Sequence, residues 1–327
     1  MSTARILFIS SVLCFLSLMN TGAEPLEESI YLILPFENKS TTRSSYWIGE
    51  ALADLISQTA EMQGVKVVQR RERIDTYATF GFSPLASPTL ASQLKIAEQL
   101  QATHLIYGSF SSNDNLLHIQ CALIDLQKLS IVNRCNLVTG INDLLAVKKI
   151  FCEKLFSGRK TLTFCTDALQ MDYGDTITIQ GYEAFIKASL EDSFAMKEEL
   201  YGKALKLSPG FTRTLYEIAL LYFSTSQFDA AEESLGLITD KRSKVGASAC
   251  MLLGEIYLEN GRFVQAIDVL KKAVSYGGTG KAHYLLSKAY YMAGDTGSAS
   301  KELDISLKLD PSDIDARSFK KNLEQKK

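Results

Sequence analysis

Charge of one sign is missing from this 327-residue chain: 35 Lys and Arg against 37 Asp and Glu leave a formal net charge of −2. Without a basic excess there is no electrostatic footprint for a phosphate backbone, so nucleic acid is not an expected partner. Histidine is scarce. The three residues His104, His118 and His283 form no i, i+4 pair, and no Cys-x-x-Cys occurs, so neither a metal nor another cofactor is expected. Six prolines and 46% apolar residues exclude a collagenous or disordered chain. Ser83 and Ser109 lack Gly-x-Ser-x-Gly flanks. Gly277-Gly278-Thr279-Gly280-Lys281 fails the phosphate-loop spacing, because position 275 is Ser and Lys281 is followed by Ala282. Glu191-Asp192 with Glu198-Glu199 reads as a solvated helix face. No catalytic motif emerges, and the expectation is a protein that is not an enzyme.

Long apolar runs are also lacking, with one exception at the start. Ile6 to Met19 is an apolar stretch of 14 residues, too short for the ~20 that span a bilayer and suited to the core of a secretory signal. Thr21 and Ala23 supply small residues before a cleavage site, so residues 1–23 are read as a signal peptide and the mature chain as exported and free of a membrane span. Val12-Leu13 before Cys14 lacks the small residue of a lipobox, which disfavours a lipoprotein. Five cysteines remain: Cys121, Cys135, Cys152, Cys165 and Cys250. An odd number cannot all pair internally. One reading is five buried free thiols; the other pairs Cys121 with Cys135, which lie on two predicted strands either side of a turn near Lys128.

Residues 26–160 read as a small α/β domain. Ile30 to Phe36 is a nearly unbroken apolar run ending at a proline, the pattern of a strand buried on both faces. Tyr46 to Met62 carries Ile48, Leu52, Leu55, Ile56 and Thr59 at helical spacing, and Gly64 stops that helix. Further along, Val65 to Val68 is a second strand, Leu90 to Leu100 a helix and Thr103 to Phe110 a third strand. Leu116 to Asp125 and Ser130 to Val138 alternate as a hairpin, and Leu144 to Phe156 is a closing helix. Leu34-Pro35-Phe36-Glu37-Asn38, Tyr46 to Leu52, Thr103 to Phe110 and Ala122-Leu123-Ile124-Asp125 resemble the TolB amino-terminal-domain family, with its FlgO-like and CsgG-like relatives. The resemblance covers roughly residues 29–157 and implies a periplasmic or outer-membrane module without shared catalytic residues. One departure stands out: Lys128-Leu129-Ser130 occupies the hairpin turn where the family has Gly.

The second half repeats. Tyr222, Tyr257 and Tyr290 are spaced by 35 and 33, Ala231, Ala266 and Ala299 repeat the same two intervals, and Pro209 and Pro311 lie three times 34 apart. Leu253-Gly254, Tyr257, Gly261, Phe263, Ala266, Leu270 and Ala273 resemble the tetratricopeptide motif. Gly254 and Ala266 are expected to let two helices cross closely, with Tyr257 and Phe263 filling the space beside them. Repeats are placed near Thr212, Ala247 and Gly280, after a degenerate unit from Thr178 to Phe211 and before a capping helix from Ser312 to Leu323.

The fold class is therefore α+β: a mixed-sheet α/β domain at 26–160, a linker at 161–177, and an all-α tetratricopeptide superhelix at 178–327. The resemblance implies a concave groove for a protein partner, lined by Arg213, Tyr216, Leu220, Phe223, Met251, Glu255, Leu258, Glu259, Lys281, Tyr284, Lys288 and Tyr291. Leu220, Phe223, Leu258 and some of the tyrosines fit equally well as packing between helices. The leading expectation is an envelope scaffold that holds a peptide segment or helix of another envelope component. The alternative is a small-molecule sensor or enzyme with its pocket in the α/β domain and regulatory repeats. Composition does not set the oligomeric state.

Overall fold

The computed structural model describes residues 29–40, 43–113, 115–156, 177–238 and 242–325. The expected signal peptide at 1–23, Cys14, Cys165 and nearly all of the expected linker fall outside these residues. The described residues divide into two compact units, one formed by 29–40, 52–138 and 150–156, the other by 43–51, 139–149, 177–238 and 242–325.

A mixed six-stranded sheet runs through β1 (Ile30–Ile33), β2 (Glu37–Asn38), β3 (Lys66–Val67), β4 (His104–Asn113), β5 (Leu116–Asp125) and β6 (Ser130–Gly140). Its order is β3-β1-β4-β5-β6, with β2 pairing to β4. Parallel pairing of β1 with both β3 and β4 places β1 inside the sheet, which is why Tyr31, Leu32 and Ile33 are all buried and why that stretch reads as an unbroken apolar run. β4 and β5 pair antiparallel from His104↔Asp125 to Asn113↔Leu116. Helices α1 (Trp47–Met62), α2 (Arg70–Thr79), α3 (Leu90–Gln99) and α4 (Val147–Leu155) accompany the sheet. Leu32, Leu34, Tyr77, Ile96, Ala97 and Leu105 form one buried cluster.

Two local features needed the structure. Helix α2 went unpredicted because its sequence RRERIDTYAT has no apolar stripe. It starts with a capping box, in which the Gln69 amide donates to Glu72 at 3.1 Å, and it buries Arg73, whose Nη1 donates to the Ile33 carbonyl at 3.3 Å. The turn between β5 and β6 is held by buried Asp125, which accepts from the Gln127 and Lys128 amides at 3.0 and 2.9 Å and pairs with Lys128 Nζ at 2.9 Å. Those bonds, the Lys128 amide first, hold the Asp125 carboxyl below the usual range. Leu129 then takes φ +49°, the left-handed conformation that glycine would adopt without strain.

The second unit is a series of helical pairs: α5 (Ile179–Leu190) with α6 (Phe194–Leu207), α7 (Thr212–Ser224) with α8 (Phe228–Gly236), α9 (Lys244–Glu259) with α10 (Phe263–Gly277), and α11 (Gly280–Met292) with α12 (Thr296–Leu309). A last helix, α13 (Ile314–Gln325), closes the stack. Side-chain caps start three of the four first helices: Thr178 accepts from the Gly181 amide, Ser243 from Gly246 and Thr279 from Ala282, while α7 begins after Phe211 without one. Ala219, Gly254 and Ser287 recur at intervals of 35 and 33 and are buried, as are Ala231, Ala266 and Ala299. A Cβ added at Gly254 would sit 2.5 Å from Leu270 Cγ. In the following pair Ser287 Oγ donates to the Ala299 carbonyl at 2.7 Å, so its hydroxyl is satisfied inside the crossing. Tyr257 is buried as expected, whereas Phe263 is only half-buried and lies outside the core cluster. The first pair packs differently, around an aromatic cluster in which Phe185 lies 4.8 Å from Phe211 and 5.9 Å from Tyr201.

The turns inside three successive pairs share one geometry: Gly261 and Gly294 have φ +70° and +89°, and Ser226, at the equivalent position, has φ +59°. Ser226→Gly and Leu129→Gly are each expected to raise stability by about 0.5–1 kcal/mol by relieving left-handed strain, seen as a higher urea midpoint at unchanged slope. Conversely, Gly254→Ala should cost about 1–3 kcal/mol by overpacking against Leu270. A double-mutant cycle with Leu270→Ala checks the cause, and additivity of the two changes would refute it.

Candidate protein-binding site

Packing of the first helices decides where a binding face lies. Helix α7 contacts α9, and α9 contacts α11, whereas among the described residues no second helix makes a comparable contact with the next second helix. First helices therefore line the inner side of the curve and second helices the outer side.

Twelve residues were predicted for that inner side, and they separate into two groups and a remainder. Tyr216 on α7, Glu255 on α9 and Lys281 on α11 come together. Glu255 Oε1 meets Lys281 Nζ at 2.9 Å, and Tyr216 is half-buried beside Glu255. Burial first, then the Glu217 and Glu255 charges, push the Tyr216 hydroxyl up to about 12, so it stays a neutral donor at any physiological pH. Met251 sits next to them, its sulfur 3.8 Å from Thr279 Oγ1. The second group is Tyr284, Lys288 and Tyr291 on α11. Lys288 Nζ lies 5.8 Å over the Tyr284 ring, and Phe319 of α13 meets Tyr284 and Tyr291 edge-on at 6.1 and 5.5 Å. The capping helix thus covers the two tyrosines at that end.

The remaining predicted residues are largely structural. Arg213 stacks its guanidinium 4.9 Å over Phe185 of the preceding pair. Leu220, Phe223 and Leu258 pack half-buried against the core, and Phe223 lies 5.8 Å from Phe228 of its own hairpin. Glu259 is exposed.

A link between successive pairs escaped the sequence reading. Tyr222 donates to Glu198 at 2.6 Å, and Tyr257 donates to Glu232 at 2.9 Å. Both tyrosines reach a glutamate on the second helix of the pair before them, and the two glutamates are themselves 34 apart, whereas Tyr290, the third of the series, has Lys271 Nζ 5.7 Å over its ring. Glu198, expected only as part of a solvated face, is an acceptor in this link, and its hydrogen bond is the chief reason the Tyr222 hydroxyl is pushed up to about 12. At Glu232 the link is reinforced: Arg262 Nη1 and Nη2 reach the carboxylate at 2.6 and 3.0 Å, and its guanidinium stacks 4.2 Å over Tyr257. The regular spacing of Glu198 and Glu232 behind the tyrosines was the available signal.

Residues 257–323 match the tetratricopeptide repeat family. The match runs from the end of α9 through α13. Among solved structures, the LpoB C-terminal domain from Salmonella enterica is 20% identical, with 35% of this chain and 83% of that one covered at a TM-score of 0.30. MamA is 25% identical over 40% of this chain and 77% of its own, at 0.37, and MamA from Desulfovibrio magneticus RS-1 is 21% identical over 42% and 76%, at 0.35. Each superposes on part of the chain only. No curated protein matches it. Tetratricopeptide arrays are protein-interaction scaffolds, and no described helix is long and apolar enough to cross a membrane.

The Arg262 and Tyr257 hydrogen bonds hold the Glu232 carboxyl below its ordinary value, the Arg262 bond being the larger cause. A depressed folded value means this contribution is present above the unfolded value of ~4.3 and is lost as pH falls through the folded value. Glu232→Gln should therefore lower stability at neutral pH and flatten its decline below about pH 5, measured by urea unfolding across that range. An unchanged acid slope would remove the link from the account.

Proposed function

We propose that the chain is a non-enzymatic scaffold of the bacterial envelope that holds a segment of a protein partner along the inner face of its repeats. The observation that carries this reading is the placement of Tyr216, Glu255 and Lys281 on three successive first helices, joined by the 2.9 Å Glu255–Lys281 pair in the stretch of array that the capping helix leaves uncovered. A neutral tyrosine donor beside a paired carboxylate and ammonium suits the backbone and charged side chains of an extended or helical segment. The TolB-like resemblance of residues 29–157 and the apolar run Ile6 to Met19 support export, and on this reading the α/β domain docks a second envelope component. The preferred compartment is the periplasm or the periplasmic side of the outer membrane.

Site-specific photocrosslinking in the producing bacterium tests the face. A crosslinker at Glu259, exposed on a first helix, should capture a discrete partner; one at Asp268, exposed on second helix α10, should not. Lys281→Glu, which breaks the pair with Glu255 at an exposed site, should reduce the Glu259 adduct by about tenfold, equivalent to ~1.4 kcal/mol. Equal capture from both positions, or capture unaffected by Lys281→Glu, would place the binding face elsewhere.

A further inference from the structure

The groove makes no use of Cys121 and Cys135, which lie together on the sheet. β5 and β6 are hydrogen-bonded neighbours, and the four residues between them, Leu126 to Leu129, are too few for anything but an antiparallel hairpin. Along β5 the side chains of Leu117, Ile119, Cys121 and Leu123 alternate onto the buried face. Cys135 is the fully buried residue of β6. Helix α4 is tied to the same strand, since Asn133 Nδ2 donates to the Leu155 carbonyl at 2.8 Å and Lys154 Nζ donates to the Asn136 carbonyl at 3.3 Å. In this structure the two thiols share a hydrogen bond and are both free, whereas Cys152 is disulfide-bonded, so the reading of five free thiols does not hold. The third described free thiol, Cys250, is buried in the other unit beside Ala273 and Ala282.

We propose that Cys121 and Cys135 are a redox-active pair that closes into a cross-strand disulfide, tying edge strand β6 to β5. Three features support it. Residues opposed across an antiparallel pair have Cα separations of about 4.5–5.5 Å, inside the range a disulfide bridges. β6 is the outermost strand of the sheet, the position where local opening admits a small reagent most readily. The pair is also asymmetric: the Cys121 hydrogen bond, and then the Lys154 charge, draw the Cys135 thiol below its ordinary value, while the same hydrogen bond and burial push Cys121 up. Cys135 is accordingly the attacking sulfur. With glutathione disulfide as oxidant, the Cys135 thiolate attacks one sulfur, forms a mixed disulfide and expels one glutathione thiolate. Cys121 then gives up its proton and attacks the Cys135 sulfur, expelling the second glutathione. Two protein thiols become one disulfide, one glutathione disulfide becomes two glutathione thiols, and the two protons pass to those thiols.

The test equilibrates the full chain with glutathione buffers of increasing disulfide fraction, then quenches, alkylates and maps the cysteine peptides by mass spectrometry. A linked peptide joining Cys121 to Cys135 is expected, two hydrogens lighter than its parts and fully reversed by dithiothreitol, with Cys250 still alkylated. Cys121→Ser should stop at a glutathione adduct on Cys135, whereas Cys135→Ser should leave Cys121 alkylated. The wild-type map decides the matter even if a serine variant fails to fold. Separate alkylation of both thiols at the most oxidising ratio, or linkage of either to Cys152 or Cys250, overturns the proposal.

Discussion

Close crossing of two helices at a residue with almost no side chain is the constraint on which the repeat half depends. At Gly254 even one added carbon would intrude on Leu270, so the inter-helix distance there is set by backbone approaching side chain. Dispersion and exclusion of water reward such closeness: the Leu270 side chain fills the space that a larger residue at 254 would take, and Ala266 is buried in the same cluster. The neighbouring pairs carry small buried residues at the same repeat positions, Ala219 with Ala231 and Ser287 with Ala299. Serine fits only because its hydroxyl finds the Ala299 carbonyl. In the first pair Phe185 stands one period before Ala219, and Tyr182, Tyr201 and Phe211 join it in the interior.

Once the crossing is fixed, the rest of the array follows. A regular crossing makes successive pairs superimposable, so a contact that works once recurs: tyrosine reaches glutamate at Tyr222–Glu198 and again at Tyr257–Glu232. The same regularity brings α7, α9 and α11 into contact along one side, where a carboxylate on one helix can meet an ammonium on the next. The inner face thus inherits its chemistry from the packing. Of the twelve residues that the repeat motif assigns to that face, Leu220, Phe223 and Leu258 pack against the core and Tyr284 and Tyr291 meet Phe319 of α13, while Lys281 and Glu259 stay exposed.

In the sheet a comparable approach occurs at Gly108, where a Cβ would lie 2.6 Å from the Phe36 ring and 2.8 Å from Cys121 Cβ. Glycine in β4 lets the aromatic ring lie over the strand and brings Cys121 to its place beside Cys135. The β5–β6 turn illustrates the opposite case, a strained position kept without glycine. Asp125 accepts two amides and an ammonium, and those bonds hold Leu129 in a conformation that its own side chain opposes.

Periodicity by itself determined the elements with strong patterns: β1 as a buried strand, the β5–β6 hairpin, and the helical pairs from Thr212 onward with their small-residue positions. These were legible because the hydrophobic period and the 33 to 35-residue repeat are written in adjacent or regularly spaced residues. Helix α2 was not legible, since its stability comes from a cap and from burying Arg73 against the β1 carbonyl rather than from an apolar face. Nor was the division of the predicted groove residues into accessible and packed ones, because Tyr284 and Tyr291 meet Phe319 only after α13 folds back on the stack. Cys121 and Cys135 were placed on facing strands by the alternation of their neighbours, but their contact depends on hairpin register, and register is set by how the turn at Asp125 closes. Local pattern specifies which face of an element is apolar; only the assembled chain decides which neighbour covers it.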